Sequence, residues 1–297
     1  MNKIYLDKVD TLLHIIPLIT EEECFAIHGG TAINLFVNNL TRLSVDIDIT
    51  YLPLEDSSIQ HINEALLRIA AQVRSVLKGA HIIPRLDICK LTCEYRGRQI
   101  KLEVNQTKRG VVGGEVLTMP LCEKAQELFD IYTEARIVPL TLLFGGKIAA
   151  ALSRQHPRDL FDVQHMSLPI ADAKLGFLFN VLSSDRPIHE TFAPSLINQQ
   201  QAMQNQFEGM SDILFTYTDF EQTRAILIDD VKAMLTENEK KFLISFELGT
   251  PDWTLFDHPE LADYPSIQWK LLNLNKLKQA NPIKLQEEAD KLKAILL

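Results

Sequence analysis

A chain of 297 residues, 46% apolar and 23% charged, has the composition of a soluble globular protein with one large or two ordinary domains. Its net charge of −9 argues against broad non-specific nucleic-acid binding, which draws affinity from neutralising phosphates, but leaves room for a local basic groove. Cys24, Cys89, Cys93 and Cys122 form no Cys-x-x-Cys pair, no apolar run reaches the ~18 residues of a membrane span, and the polar first ten residues lack a signal-peptide core. These features read as a reduced, cytoplasmic protein with no membrane partner.

In chain order, the spacing of Leu6, Val9, Leu12, Leu13 and Ile16 predicts a helix over 5–20. Phe25-Ala26-Ile27-His28 is a short apolar run ending in two glycines, a strand followed by a turn, and 31–39 returns to helical spacing. Residues 45–51 alternate as a strand. The segment 54–78 reads as a long helix closed by Gly79. A hairpin follows, with one strand in 81–95, a turn at Arg96-Gly97 and a second strand over 98–105; 107–119 is loop or edge. From about residue 120 strands are expected to stop and helices to dominate. The fold class is therefore α+β: a mixed sheet flanked by helices over 1–135, then a helical domain over 136–297.

The chemistry concentrates at Ser44-Val45-Asp46-Ile47-Asp48-Ile49. Residues i and i+2 of a strand share a face, so Asp46 and Asp48 stand side by side while Val45, Ile47 and Ile49 pack behind them. Adjacent carboxylates raise one another's pKa unless something positive lies between, and a divalent cation such as Mg²⁺ (or Mn²⁺) fits that need. Upstream, Gly29-Gly30-Thr31 opens a helix whose free N–H groups and hydroxyl suit a phosphate. On the later strand Ile100, Leu102 and Val104 face one way, and Lys101, Glu103 and Asn105 the other. Three carboxylates beside a phosphate cradle are what two-metal phosphoryl chemistry requires: one cation steadies the leaving phosphates and the other lowers the pKa of an attacking hydroxyl.

Gly29-Gly30-Thr31-Ala32 followed by Arg42-x-Ser44-x-Asp46-x-Asp48 resembles the signature of the AbiEii/AbiGii toxin family, within the polymerase-β-like nucleotidyltransferase superfamily. Lys101-Leu102-Glu103 is similar to its third-carboxylate segment, and Lys147 with Arg158-Asp159-Leu160-Phe161-Asp162 to its Lys…Arg-Asp-x-x-Asp motif. The resemblance spans residues ~25–165. It implies a nucleotidyltransferase core and the toxin of a toxin–antitoxin pair, moving a nucleotide from an NTP to a cellular acceptor such as tRNA. It also implies Asp46, Asp48 and Glu103 as Mg²⁺ ligands, Gly29, Gly30, Thr31 and Ser44 as phosphate holders, and Lys147 at the triphosphate. Two departures stand out: Gly29-Gly30 replaces a common Gly-Ser, and Glu103 is one methylene longer than the Asp also found there.

Each residue has a blander reading. Asp46 and Asp48 could be the wet face of a strand, and so could Glu103 between Lys101 and Asn105. Lys147 could be a surface lysine snorkelling from an apolar helix. Arg158 and Asp162 could form an intrahelical i,i+4 pair, unless Arg158 or Asp159 positions Lys147 or the acceptor. Arg42 could approach phosphate or brace a carboxylate. His28 reads as a core histidine, and Cys89 and Cys93 as buried thiols. The basic set Arg96, Arg98, Lys101, Lys108 and Arg109 reads as a solvated edge or an RNA guide. Phe215, Tyr217, Phe220, Trp253, Phe256 and Trp269 read as helix packing. Other functions compatible with these residues are nucleotidyl transfer to a small molecule, and nucleotide sensing or partner binding without turnover.

Overall fold

The computed structural model describes residues 1–56 and 58–297. Helix α1 (Lys3–Thr20) is capped by the Asn2 side chain and turns Val9, Leu12, Leu13 and Ile16 inward. Strand β1 (Phe25–His28) ends at the paired glycines, which open a one-turn helix α2 (Gly29–Ala32) that widens into a π-helical turn at Ile33–Val37. Strand β2 (Asp46–Tyr51) follows, then α3 (Ile59–Val76), with Ser58 accepting from the Gln60 N–H at its start. The helix expected over 54–78 is thus shorter at both ends, and position 57 within that expectation lies outside the described residues.

The stretch 81–95, expected as one strand, is itself a hairpin of β3 (His81–Arg85) and β4 (Lys90–Tyr95), turned by a 3₁₀ segment at Leu86–Ile88 and by Cys89 in the left-handed region. Leu86–Cys89 contains neither glycine nor proline, and the one punctuating residue nearby, Pro84, sits within β3, so the turn itself carries no local signal. After β5 (Arg98–Val104), strand formation continues past residue 107. Edge strand β6 (Leu117–Pro120), α4 (Glu123–Phe129) and β7 (Glu134–Ile137) complete the sheet. The expectation that strands end near 120 therefore fails. Four residues of β7 show too little alternation to be recognised, and their pairing to β1 is long-range. A boundary at 135 cuts through β7; the sheet ends at Ile137.

The sheet runs β3-β4-β5-β2-β1-β7-β6. Strand β2 sits between antiparallel β1, with His28 opposite Asp48, and parallel β5, with Asp48 opposite Glu103. Ile47 and Ile49 are buried on the other face of β2, as the alternation requires. The register alone places Glu103 beside the Asp46/Asp48 pair.

Helices follow from Leu140: α5 (Leu140–Arg154), α6 (Pro157–Gln164), α7 (Lys174–Leu182), short α8 (His189–Phe192) and α9 (Gln200–Ala202), then α10 (Tyr217–Ala233), α11 (Glu237–Glu247), α12 (Pro265–Ala280) and α13 (Pro282–Leu296). Helices α5 and α7 meet through Gly145 and Gly176. A Cβ on Gly145 would lie 2.2 Å from the Phe177 nitrogen, so neither position has room for a side chain. Buried apolar residues of the sheet and of the helices form one continuous cluster, and all four cysteines are free thiols. Among the described residues no helix is long and apolar enough to cross a membrane.

Candidate active site

Asp46 and Asp48 project from one face of β2 into a cleft between the sheet and helices α5 and α6. Neither carboxylate has a hydrogen-bond or ion-pair partner among the described residues. The Asp48 side chain opens onto the cleft, but the walls crowd it. Desolvation pushes its pKa up to about 6; Lys147 opposes this, and the charges of Asp46 and Glu103 add to it. Glu103 stands alongside in register and is ion-paired to Lys90 of β4, itself opposite Glu103 on the other side. Among the described residues no three acidic, histidine or cysteine side chains are gathered closely enough to hold a metal ion as they stand. Two unpartnered carboxylates with a third one strand away are a donor set that suits a hard, oxygen-seeking cation.

The glycine turn belongs to the same site because it must pass very close to it. Gly29 has φ +71°, and a Cβ there would lie 2.6 Å from Asp48 Oδ2. A Cβ on Gly30 would lie 2.7 Å from Arg42 Nη2 and 2.9 Å from Ser44 Oγ. Gly30 and Ser44 line the cleft, whereas Thr31 is buried. Its hydroxyl donates to the Asp46 carbonyl at 2.5 Å and lies 3.1 Å from Ser44 Oγ, whose own hydroxyl can donate to it. Thr31 thus ties α2 to the start of β2 from beneath and does not point at the cleft.

The Lys…Arg-Asp-x-x-Asp segment builds a buried ionic network on α5 and α6. Lys147 is 6% exposed and pairs with Asp159 and Asp162, each at 2.9 Å. Its reading as a surface lysine is overturned: i,i+3 spacing on α6 aims both aspartates at it. Arg42 binds Asp162 through two bonds, Nε to Oδ1 at 2.7 Å and Nη2 to Oδ2 at 2.5 Å, so it braces a carboxylate. The intrahelical pair of Arg158 with Asp162, the blander alternative for these residues, is absent among the described residues; Arg42 and Lys147 occupy that carboxylate. Burial would raise the pKa of Asp159, but Lys147 and Arg154 outweigh it and hold it at about 2. Burial likewise works against the Lys147 ammonium, and the two aspartates more than offset it.

Arg158 stands at the mouth of this network, lines the cleft, and has no side-chain partner among the described residues; desolvation lowers its pKa. Lys101 lines the same cleft and has no ion-pair partner among the described residues. Several contributors carried no signal in the sequence. Asn34, one helical turn past Gly30, donates to Asp162 and accepts from Thr41 and the Arg42 N–H. Arg154, seven residues after Lys147 on α5, holds Asp159 at 3.0 Å. His28 lines a second chamber; burial, then Lys108 and Lys147, push its pKa down to about 4, and its Nδ1 is buried without a partner. Of the basic set, Arg98 pairs with Asp7 at 2.5 Å, Arg96 lies over the Tyr95 ring, and Arg109 is buried against the Asp56 carbonyl. Among the aromatics Trp269 departs from the packing expectation, being 43% exposed.

A carboxylate pair on a central strand, with a glycine turn pressed against it and a lysine–aspartate network on the following helices, is the arrangement that the resemblance in the sequence implies. The model of the AbiEii nucleotidyl transferase toxin of type IV toxin–antitoxin systems matches residues 10–273, and the chain belongs to that family. Among solved structures it is similar to MenT4, nucleotidyltransferase toxin Rv2826c from Mycobacterium tuberculosis H37Rv, with a TM-score of 0.58 and 13% identity over 92% of this chain and 95% of that one. At that identity the likeness concerns the fold. No curated protein matches the chain. The protein is accordingly a nucleotidyltransferase toxin of a type IV toxin–antitoxin system.

Proposed function

We propose that the protein transfers a nucleotide from an NTP to a cellular acceptor, with tRNA the foremost candidate, in a reaction dependent on Mg²⁺ or Mn²⁺. The observation that carries this reading is the pair of unpartnered carboxylates, Asp46 and Asp48, set against the Gly29–Gly30 turn. Asp46 and Asp48, joined by Glu103 once it releases Lys90, would hold the cation. When bound, the cation would neutralise phosphate charge and lower the pKa of the attacking hydroxyl. Gly30 at the start of α2, Ser44, Arg158 and Lys101 line the cleft, and the triphosphate would lie against them. Lys147, fixed by Asp159, Asp162 and through them Arg42, supplies positive potential from the cleft wall. The acceptor oxygen attacks the α-phosphorus, the bond to the β-phosphate oxygen breaks, pyrophosphate leaves, and the hydroxyl proton passes to solvent. Arrangement of the two substrates is then a matter of positioning and charge.

The family's type IV systems imply a cognate antitoxin, and we propose a cytoplasmic site of action for both partners. The test is incubation of the purified protein with Mg²⁺, each labelled NTP in turn, and total RNA. Labelled RNA is expected, with loss of product on chelation by EDTA. Label on a small molecule alone would move the acceptor to that class, and NTP binding without product or metal dependence would support a nucleotide sensor instead.

A further inference from the structure

The cleft has two chambers. The first, already described, contains Gly30, Ser44 and Arg158; the second contains His28, Lys108 and Asn180; Asp48, Glu103 and Arg154 line both. In-line displacement at phosphorus puts the leaving group and the nucleophile on opposite sides of the reacting atom. If the triphosphate occupies the glycine-turn chamber, the acceptor must approach from the other. Lys108 in that second chamber is unusual. Its Nζ donates to the neutral Asn180 Oδ1 at 2.9 Å, and no carboxylate lies within ion-pair distance among the described residues. Asn180 is itself oriented by a bond to the Gly176 carbonyl at 2.8 Å. The ammonium is largely desolvated, which lowers its pKa, and Asp185 offsets this only from beyond contact. A half-buried cation without a counter-charge is costly unless a ligand supplies one. The chamber continues past Lys108 into a groove carrying Arg186 and the exposed Trp269, along with Asp185 and Glu190. Glu190 lies 3.9 Å from Arg186 and partly neutralises it.

We propose that Lys108, presented by Asn180, is a second anion subsite that binds a backbone phosphate of the acceptor next to its attacking hydroxyl. This rests on the nucleotidyl-transfer reading and adds to it that the acceptor is a phosphodiester strand end; a cationic small molecule would meet the Lys108 charge unfavourably.

The test uses the full chain and a fluorescein-labelled 12-nucleotide single-stranded RNA with a free 3′ hydroxyl. Binding is followed by anisotropy over a salt series, and NTP affinity is measured separately by calorimetry. Lys108→Met, which keeps the aliphatic stem, is expected to weaken RNA binding ~10-fold and reduce the salt slope by ~0.7 while NTP affinity stays within ~2-fold. Lys108→Arg should restore most of the RNA affinity. An RNA with neutral methylphosphonate linkages at its 3′ end should bind wild type and Lys108→Met alike. The proposal is overturned if wild type does not bind the RNA, if Lys108→Met leaves affinity and slope unchanged, or if NTP affinity falls as far as RNA affinity. A melting temperature for each variant separates lost folding from lost binding, and the arginine variant decides the matter if the methionine variant unfolds. Failure of the nucleotidyl reading would show differently, as absence of NTP binding in wild type.

Discussion

Two clusters of charge share one cleft and are built in opposite ways. On α5 and α6, Lys147, Asp159 and Asp162, with Arg42 and Arg154, pair at 2.5–3.1 Å. Among the described residues, Asp46 and Asp48 on β2 have no such partners, and Glu103 on the adjacent β5 pairs only with Lys90. A buried charge that is paired and hydrogen-bonded holds elements together; one left unpaired at a cleft, as Asp48 is, has its charged form disfavoured by desolvation until a ligand arrives. The first cluster is thus internal framework that keeps Arg42, α2 and α6 in fixed relation, and the second, under the proposed function, is the part that would receive cation and phosphate. Substitutions in the two clusters should accordingly fail in different ways.

The largest separation is expected at Asp48. Asp48→Ala should lower nucleotide transfer by ~10³-fold or more while the melting temperature stays level or rises, since no protein partner is lost. A labelled-NTP assay beside a thermal melt reads both; retained transfer would remove Asp48 from the reacting centre. Asp162→Ala should do the reverse in kind. It strands Arg42 and half-strands Lys147, and should cost about 3–5 kcal/mol of stability by denaturant unfolding. Replacing both ends, as Arg42→Met with Asp162→Leu, should recover most of that loss, because two apolar groups leave no buried charge unpaired. If the double variant is as unstable as the single one, the network is not a self-contained unit.

The open cluster was the more legible of the two in the sequence. Alternation in Val45–Ile49 is a local, period-2 signal, so the shared face of Asp46 and Asp48 follows from strand geometry. Glu103 could be placed on a polar face, but its position opposite Asp48 depends on β2–β5 pairing across more than fifty residues. The closed cluster was legible only in part. The i,i+3 spacing of Asp159 and Asp162 gives a common face, yet nothing local says that Lys147 from another helix and Arg42 from a loop meet there. A lysine in an apolar helix is ambiguous until its partners are known. Thr31 shows the same limit: a hydroxyl at a glycine turn suits a phosphate equally well whether it points outward or, as here, back to the Asp46 carbonyl. β7 was missed because four residues carry too little pattern, and Lys108 could be read only as one of a basic set, solvated edge or RNA guide, because its environment is made by Asn180 from the distant α7.

Gly30 joins the two clusters and gives a smaller effect. A Cβ there meets Arg42 Nη2 at 2.7 Å, and that nitrogen is pinned by Asp162 and cannot swing away freely. Gly30→Ala should therefore cost about 1–3 kcal/mol through overpacking and should also lower transfer, because relief comes only by shifting Arg42 or the turn beside Ser44. Unfolding and transfer measured together check it. In the Arg42→Met, Asp162→Leu background, where the clashing guanidinium is gone, the stability penalty of Gly30→Ala should shrink. An unchanged penalty would mean that the clash lies elsewhere.

The smallest expected effect is on pH, and its sign separates the clusters most directly. Asp159 is held at about 2 because Lys147 and Arg154 outweigh burial, below the ~3.9 of an unfolded aspartate. Its pairing therefore stabilises the fold above about pH 4 and is lost as pH falls towards 2. Asp48 is pushed up to about 6, first by desolvation, so between about pH 4 and 6 the folded chain holds a proton that the unfolded chain has released. Its penalty is absent below pH 4 and fully present above 6, where stability has declined. Asp159→Asn should lower the melting temperature at pH 7, with the difference narrowing as the acid limit is approached. Asp48→Asn should raise it at pH 8 and leave it unchanged at pH 4. The Asp48 gain should stay under ~1 kcal/mol, since the carboxylate opens to solvent that screens it. Saturating Mg²⁺ should remove the gain by stabilising the wild-type carboxylate, and an Asp48→Asn advantage that survives Mg²⁺ would argue that this aspartate does not meet the cation.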